Sequence, residues 1–274
     1  MRGCPRTVAA VAGLLVVAVA AVSGCGTMRG GRAWGAEAIA PFDWKRIPAA
    51  AKSAALDPVT WVPAAGALAV SIDGLDARGS AWASRRCAVF GSRAAARGAS
   101  DHLRNLLLVE AHVTALLTPS GEGPRPWLTA KLKGMAVEEA SLLAVDLATD
   151  GLKALARRER PDGLDRRSFP SGHASMAFAG ARVSNRNLDA IGMRPAARAA
   201  IQSANLAAAT AVGWARVEGR RHYLSDVLVG AAIGNFLSAF VHDAFIGLDR
   251  EEVSIDIGVD PAAHGVRCAL RRVF

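Results

Sequence analysis

The stretch RRSFPSGHASMAF, residues 166–178, combines groups that could hold an anion and move a proton. The small and apolar residues after Pro170 predict a helix, and a helix N-terminus binds anions because its first backbone N–H groups lack partners within the helix. Gly172 would let the backbone approach a ligand closely, Ser171 adds a hydroxyl donor, and His173 could transfer a proton from the first turn. Taken alone, the pattern also fits an ordinary helix start with a surface histidine.

Two cations upstream could hold the same anion. Lys153 and Arg160 lie seven residues apart near the end of a predicted helix. Seven residues make about two helical turns, so both side chains are expected on one face. The alternatives are a solvated basic face, or pairing of Lys153 with Asp150 or Asp146. We expect the remaining cations nearby to be solvated charges: Arg157, Arg158, Arg166 and Arg167.

A third stretch, ARVEGRRHYLSD, carries a cation, an imidazole and a carboxylate. His222 and Asp226 are four residues apart. On a helix this spacing places the carboxylate beside the imidazole, fixes its tautomer and supports a histidine nucleophile or base. Arg216 lies six residues before His222 and would not share that face on a straight helix. A break near Gly219 would return it to the same site.

Together and in this order, the three stretches resemble the signature of the type 2 phosphatidic acid phosphatase superfamily, which includes bacterial non-specific acid phosphatases and vanadium haloperoxidases. That signature reads K-x6-R-P, then P-S-G-H, then S-R-x5-H-x3-D, and its internal spacings are kept here between residues 153 and 226. The one departure is Ala215, where the family usually has serine. Its loss removes a hydroxyl near the phosphate-binding arginine but takes away no charge and no nucleophile.

The resemblance implies a role for each of these residues in phosphate ester hydrolysis. His222, oriented by Asp226, would attack phosphorus in line and form a phosphohistidine. His173 would protonate the leaving alcohol and then activate the water that releases phosphate. The reaction implies no metal or other cofactor. A set of cations and donors would hold the phosphoryl oxygens: Lys153, Arg160, Ser171, Gly172 and Arg216.

The elements that position these residues are predicted to be helices, so the fold class is all-α. Helices are expected at about 126–158, 195–217 and 224–246, after His173, and from a capping Ser100. The resemblance implies a helical bundle of the acid phosphatase/vanadium haloperoxidase type.

The predicted phosphatase domain covers residues 59–250. Within it, the stretch 67–76 is either a short strand with a turn or the end of a helix. Residues 251–274 form an extension that alternates like two strands around DPAAHG, which predicts a short C-terminal β-hairpin.

The N-terminal residues predict export and lipidation. Residues 1–24 carry two arginines, an apolar run and small residues, as secretory signal peptides do. Residues 22–25, V-S-G-C, resemble a bacterial lipobox, so Cys25 is the expected lipidated residue and membrane anchor. Gly26, in place of an aspartate, favours the outer membrane, with the domain facing the periplasm. Residues 25–58 would form a tether and an irregular segment.

Charge and cysteine content narrow the partners. The net charge is +9, and removing residues 1–24 takes away two arginines and leaves +7. This balance favours anionic partners such as phosphates or lipid headgroups, and no nucleic-acid partner is predicted. The sequence leaves open whether Cys87 and Cys268 form a disulfide. After the signal peptide, no clean apolar stretch of about twenty residues is found, so the bundle is expected outside the bilayer.

The sequence therefore predicts a metal-independent phosphatase that hydrolyses phosphate monoesters or pyrophosphates, such as lipid phosphates, in the cell envelope. The first alternative is a vanadium-dependent haloperoxidase, in which the same residues would hold vanadate. The second is an envelope lipoprotein without catalytic activity, and Ala215 is the one feature in its favour.

Overall fold

The ranges that the computed structural model describes are residues 24–28, 30–39 and 44–247, and the backbone of residues 252–260 and 265–273. Residues 1–23, nearly all of the predicted signal peptide, lie outside these ranges. The side chain of Cys268 lies outside them too, so the question of its pairing with Cys87 falls outside the described residues.

Eight α-helices form most of the described part of the chain, which confirms the all-α class. In chain order they are α1 (Arg46–Leu56), α2 (Pro58–Val70), α3 (Leu75–Arg86), α4 (Arg93–Leu117), α5 (Pro124–Ala156), α6 (Gly172–Ala190), α7 (Pro195–Glu218) and α8 (Leu224–Phe245). Helices α6 and α8 pack on each other at the centre, and α2, α4, α5 and α7 lie around them.

Glycines allow α6 and α8 to approach closely. A Cβ at Gly234 of α8 would lie 2.2 Å from the carbonyl oxygen of Ser175, and a Cβ at Gly230 would lie 2.7 Å from that of Ser171. Because these contacts are backbone atoms, any larger residue would push the two helices apart. The close contact therefore fixes the N-terminus of α6 against the first turns of α8.

Helix α4 begins earlier than the sequence predicted. Its N-cap is Ser92, whose hydroxyl accepts a hydrogen bond from the Ala95 N–H at 3.1 Å. The prediction of a cap at Ser100 was wrong because the alanine- and arginine-rich residues 93–99 favour a helix and extend it. Ser100 is instead buried within α4. Helices α5, α7 and α8 lie within two residues of their predicted bounds, which are confirmed.

A sharp elbow joins α2 and α3. Asp73 and Gly74 take positive φ angles of 51° and 68°, and the helix axis turns by 80° between Pro58–Val70 and Ile72–Arg86. Glycine suits such a bend because it has no Cβ to clash in the left-handed region. Of the two readings of residues 67–76, the helix end is therefore correct.

The residues before α2 pack on the domain more closely than predicted. Trp34 is fully buried, and a Cβ at Gly134 of α5 would lie 2.1 Å from its ring. Helix α1 occupies eleven residues of the stretch 25–58, so the prediction of an irregular segment was wrong there. The glycines and prolines around it favour irregular structure, whereas the alanines of α1 favour a helix.

Within the described residues, α8 is long and apolar enough to cross a membrane, although no such stretch was predicted. Half of its most apolar window is buried by the rest of the protein. It also carries the buried polar residues Asp226, Asn235 and His242. The core helix of a helical bundle has the same properties, and the packing of α8 between α2, α5 and α6 fits that description.

The C-terminal extension forms the predicted hairpin. Strand β1 (Glu252–Asp260) pairs antiparallel with β2 (Gly265–Val273), and Glu252 lies opposite Val273 in the register.

Candidate active site

The N-terminus of α6 is the centre of the candidate site. Ser171 caps this helix, since its hydroxyl accepts from the Ala174 N–H at 3.5 Å, and its own N–H donates to the carbonyl of Asp226 at 2.9 Å. Lys153 lies against the next residue, because a Cβ at Gly172 would lie 2.9 Å from its Nζ. A glycine here leaves the ammonium group and the helix N-terminus side by side.

Contrary to the prediction, Lys153 and Arg160 do not lie on one face of a helix. Helix α5 ends at Ala156, and Arg157 turns the chain with a φ of 46°. Arg160 therefore lies in the loop before α6, where its Nε is 2.7 Å from Asp165 Oδ1. Lys153 remains on α5 and pairs with Asp150 at 2.8 Å, which confirms that alternative. The loop, not helical periodicity, sets the position of Arg160.

A break in the helix near Gly219 brings Arg216 and His222 together, as predicted. Helix α7 ends at Glu218, Gly219 caps it, and Arg220 takes a φ of 57°. After this turn the carbonyl of Arg216 accepts the N–H groups of Arg221 at 3.0 Å and His222 at 3.3 Å. The chain thus folds back on the last turn of α7 and holds the imidazole beside it.

A backbone carbonyl fixes the tautomer of His222. Its Nδ1 lies 2.7 Å from the carbonyl oxygen of Ser168, and the side chain is almost fully buried. A carbonyl can only accept, so Nδ1 carries the proton and Nε2 keeps its lone pair. Asp226 Oδ2 is 3.7 Å from Nδ1, so the predicted orienting carboxylate is near but outside hydrogen-bond range. The helical argument was wrong because α8 begins after His222, at Leu224.

Asp226 is a fully buried carboxylate with several donors. Its Oδ2 accepts the Ser168 hydroxyl at 2.5 Å and the Tyr223 N–H at 2.8 Å. Its Oδ1 accepts Arg158 Nη1 at 2.8 Å. Burial alone would raise the pKa of Asp226, but His222, Ser168 and Arg158 lower it below its usual value. A negative charge is therefore held beside the imidazole.

Arg158 is not the solvated charge that the sequence predicted. Besides Asp226, its guanidinium binds Asp76 Oδ2 through Nη2 at 2.7 Å and the Ser225 hydroxyl through Nη1 at 2.7 Å. It also lies over the Tyr223 ring, 4.1 Å from the centroid. The prediction failed because Asp76 belongs to α3, 82 residues away in the chain, and no local spacing reveals such a partner.

His173 has two charged neighbours on α4 that sequence reasoning missed. Its Nε2 lies 2.6 Å from Asp101 Oδ1 and 3.0 Å from Arg104 Nη1. Arg104 can only donate to a neutral nitrogen, whereas Asp101 can only accept from a protonated one. The two contacts thus support opposite protonation states of one nitrogen. The one available signal is that Asp101 and Arg104 lie three residues apart on a helix.

Burial and nearby cations lower the pKa values of both imidazoles. The pKa of His173 falls to about 4, mainly through burial and then through the charges of Arg216 and Arg104. Burial also lowers the pKa of His222, and Arg216 and Arg160 add to this effect. A doubly charged anion bound between these cations would offset their charge and favour the protonated form of His173.

Two arginines place buried donors at the site. Within the described ranges, Arg160 Nη1 and Arg216 Nε are buried and have no hydrogen-bond partner. Burial lowers the pKa of Arg216 to about 10, so its guanidinium stays charged at neutral pH. Its Nη1 is held by Ser100 Oγ at 3.0 Å. Buried cationic donors are costly when unpaired, which favours an anionic ligand between them.

The structure thus brings together the predicted catalytic and phosphate-binding residues around the N-terminus of α6, whereas Cys25 lies apart from them. Their chemical roles stay predictions. Sequence reasoning missed several residues that contact them: Ser100, Asp101, Arg104, Arg158 and Ser168. It also missed Asp76, which reaches the site through Arg158.

Comparison with known proteins gives one family match. A family model described as the PAP2 superfamily matches residues 103–247, which include every candidate residue from Lys153 to Asp226. A crystal structure of Aquifex aeolicus LpxE is similar at 25% identity over 38% of this chain and 64% of that chain, with a TM-score of 0.33. The matched region therefore spans less than two thirds of that protein. A search of curated proteins gave no match.

Proposed function

The chain belongs to the PAP2 superfamily, and we propose that it is a metal-independent phosphatase that hydrolyses phosphate monoesters or pyrophosphates through a phosphohistidine. The family match supports a phosphatase and a phosphorylated substrate. One observation carries the finer proposal: buried, unpartnered guanidinium donors lie beside a histidine whose Nε2 lone pair is free to attack. Such a site can bind a phosphoryl group and provide its nucleophile.

In the first step the cations bind the substrate and His222 attacks. Arg160 and Arg216 would hold phosphoryl oxygens, with Lys153 and the N-terminus of α6 completing the cradle. The His222 Nε2 lone pair forms a bond to phosphorus while the bond to the leaving oxygen breaks. His173 donates the proton that the leaving alcohol needs. The buried Asp226 charge stabilises the imidazole as it becomes positive.

In the second step water releases the phosphate. His173, now neutral, accepts a proton from a water molecule, and the resulting hydroxide attacks phosphorus. The bond between phosphorus and His222 Nε2 breaks, and its electron pair returns to the imidazole. His173 is then protonated again and ready for the next substrate. The same nitrogen acts as acid and base, which suits its contacts with both Asp101 and Arg104.

We also propose a lipid anchor at Cys25 in the cell envelope, with lipid phosphates as substrates. Cys25 is exposed, and the neighbouring Gly26 exchanges two backbone hydrogen bonds with Gly121, at 3.2 and 2.7 Å. An anchor here would hold the domain directly at the membrane. Asp101 at the site and Leu117 near the anchor are about 24 Å apart along α4. The bundle would therefore lie along the membrane for the site to reach lipid.

The proposal is tested by phosphate release from the full chain in the presence of a chelator. Phosphatidic acid, an isoprenoid pyrophosphate and an aryl phosphate are compared for the wild type, His222→Ala and a control, His112→Ala. We expect release that survives the chelator, disappears in His222→Ala and persists in His112→Ala. Release that requires a divalent metal would refute metal independence. No release from any substrate would favour vanadate-dependent halide oxidation or a non-catalytic lipoprotein.

A further inference from the structure

Helix α2 and the elbow after it expose an apolar surface in a stretch that lacks charged residues. The chain carries no charged residue from Pro58 to Ile72. Helix faces that contact water normally carry charged or polar residues, so this composition does not suit a solvated surface. Five large side chains define what we name the apolar elbow, with their exposed fractions: Trp61 51%, Leu68 75%, Ile72 66%, Leu75 48% and Trp82 50%.

The apolar elbow lies at the end of the bundle that holds the candidate site. Helix α2 runs along α8 toward that end, since Val59 accepts a hydrogen bond from Asn235 at 2.7 Å while Gly66 lies level with Leu228. After the bend, Ser80 of α3 accepts the N–H of Leu224, the first residue of α8, at 3.0 Å. The elbow is therefore adjacent to the turn that carries His222.

We propose that the apolar elbow docks onto an anionic lipid bilayer. Helix α2 has 13 residues, about 20 Å, which is too short for a hydrocarbon core of about 30 Å, and the elbow turns the chain back. Tryptophan prefers the membrane interface, and two of the five side chains are tryptophans. The two acids that border the charge-free stretch, Asp57 and Asp73, are each paired with an arginine. Beyond them lie exposed cations, with Lys52 before the stretch and Arg85 and Arg86 after it. These cations complement anionic headgroups.

A short chain of contacts joins the apolar elbow to the nucleophile. Asp76, in the first turn of α3, accepts the Ser225 N–H at 2.9 Å and Arg158 Nη2 at 2.7 Å. Arg158 in turn binds Asp226, whose Oδ2 lies 3.7 Å from His222. Docking would thus hold the site at the membrane surface. The inference rests on the proposed function in one respect, because it specifies the substrate of that phosphatase as a phosphate carried by a lipid within the bilayer.

Tryptophan quenching tests the docking itself. The full chain is bound to vesicles of phosphatidylcholine and phosphatidylglycerol with brominated acyl chains, which quench tryptophans at the depth of the chains. We expect quenching in the wild type and loss of most of it in Trp61→Phe/Trp82→Phe. The charged variant Leu68→Glu/Ile72→Glu should also lose it, because both side chains would have to enter the bilayer. Quenching that persists in both variants would overturn the proposal.

A matched control separates docking from a general effect of negative charge. Leu143 and Leu147 on α5 are exposed by 57% and 62% and have the same spacing as Leu68 and Ile72, but lie on a helix that packs on α4, α6 and α8 and well away from its end near the anchor. The variant Leu143→Glu/Leu147→Glu should keep the quenching. An equal loss in this control would contradict the assignment of the elbow. A dimer that Leu68→Glu/Ile72→Glu converts to a monomer, without quenching, would assign the elbow to a second copy instead.

Kinetics distinguish this inference from the proposed function. For phosphatidic acid in vesicles, kcat/KM should fall about tenfold or more in Leu68→Glu/Ile72→Glu, since burial of one such side chain contributes about that factor. For a soluble aryl phosphate it should not change. Quenching without turnover on any substrate would refute the phosphatase and leave docking intact. Normal turnover with an unchanged substrate ratio and no quenching would refute docking alone.

Discussion

The replacement of Arg158 by alanine should destabilise the fold and damage the site together. Arg158 joins Asp226, which is fully buried, to Asp76, whose side chain is 9% exposed. Breaking a buried ion pair costs about 3–5 kcal/mol because it leaves an uncompensated charge. Arg158 itself is 34% exposed, and both carboxylates keep other donors. We therefore expect a loss of about 2 kcal/mol in the free energy of unfolding.

The dependence of this loss on pH follows from the carboxylates. The pKa of Asp226 is lowered in the folded protein, so its contribution to stability is present at neutral pH and is lost as the pH falls through the folded pKa, below the usual pKa of an aspartate. The difference between wild type and Arg158→Ala should shrink over the same range. Arg158→Lys should recover part of the stability, because an ammonium keeps the charge but cannot bridge both carboxylates as a planar guanidinium does.

Urea unfolding at neutral and acidic pH measures these effects. Arg166→Ala is the matched control, since Arg166 is an exposed arginine of the same basic run. The control should lose less than about 0.5 kcal/mol. A loss in Arg158→Ala no greater than in the control, or one that does not depend on pH, would refute the role assigned to this guanidinium.

Three further predictions concern His173 and the helix core. Arg104→Ala should raise the pKa of His173 from about 4. The pH above which kcat/KM for an alkyl phosphate falls should therefore be higher in this variant, and an unchanged pH profile would exclude Arg104 from this role. Asp101→Asn should lower the pH above which kcat/KM falls. It should also reduce kcat for an alkyl phosphate more than for an aryl phosphate, whose leaving group needs less help from an acid, and an equal loss of kcat on both substrates would contradict this. Gly234→Ala should destabilise the protein by about 2 kcal/mol or more in urea unfolding, because its Cβ would meet the carbonyl of Ser175, and unchanged stability would show that the helices can separate without cost.

Much of the site could be predicted from the sequence because its residues act through local spacing. The break at Gly219 follows from the need to bring Arg216 to His222, and the anion-binding helix start at Ser171 follows from the residues after it. Helices with clear apolar periods, such as α7, also lie where they were predicted. In each of these cases, the order and spacing of residues along the chain were enough to predict the local structure.

The predictions failed where distant residues or loops decide the geometry. Arg160 reaches the site through a loop, so its helical spacing from Lys153 was misleading. Arg158 is placed by Asp76 on α3, and His173 by Asp101 on α4, and neither partner lies within reach in the sequence. Because desolvation and pairing depend on the folded neighbours, a basic run alone cannot show which arginine is buried.

The phosphohistidine is the central claim, and trapping it is the most direct test. The variant His173→Ala is mixed with an aryl phosphate, whose leaving group departs without an acid, and the peptide that contains His222 is analysed by mass spectrometry after an alkaline quench. Because the group that activates water is missing, we expect the added mass of one phosphoryl group on His222, and none when His222→Ala is added to the variant. Hydrolysis without phosphate on this peptide, or phosphate on another residue, would contradict the account.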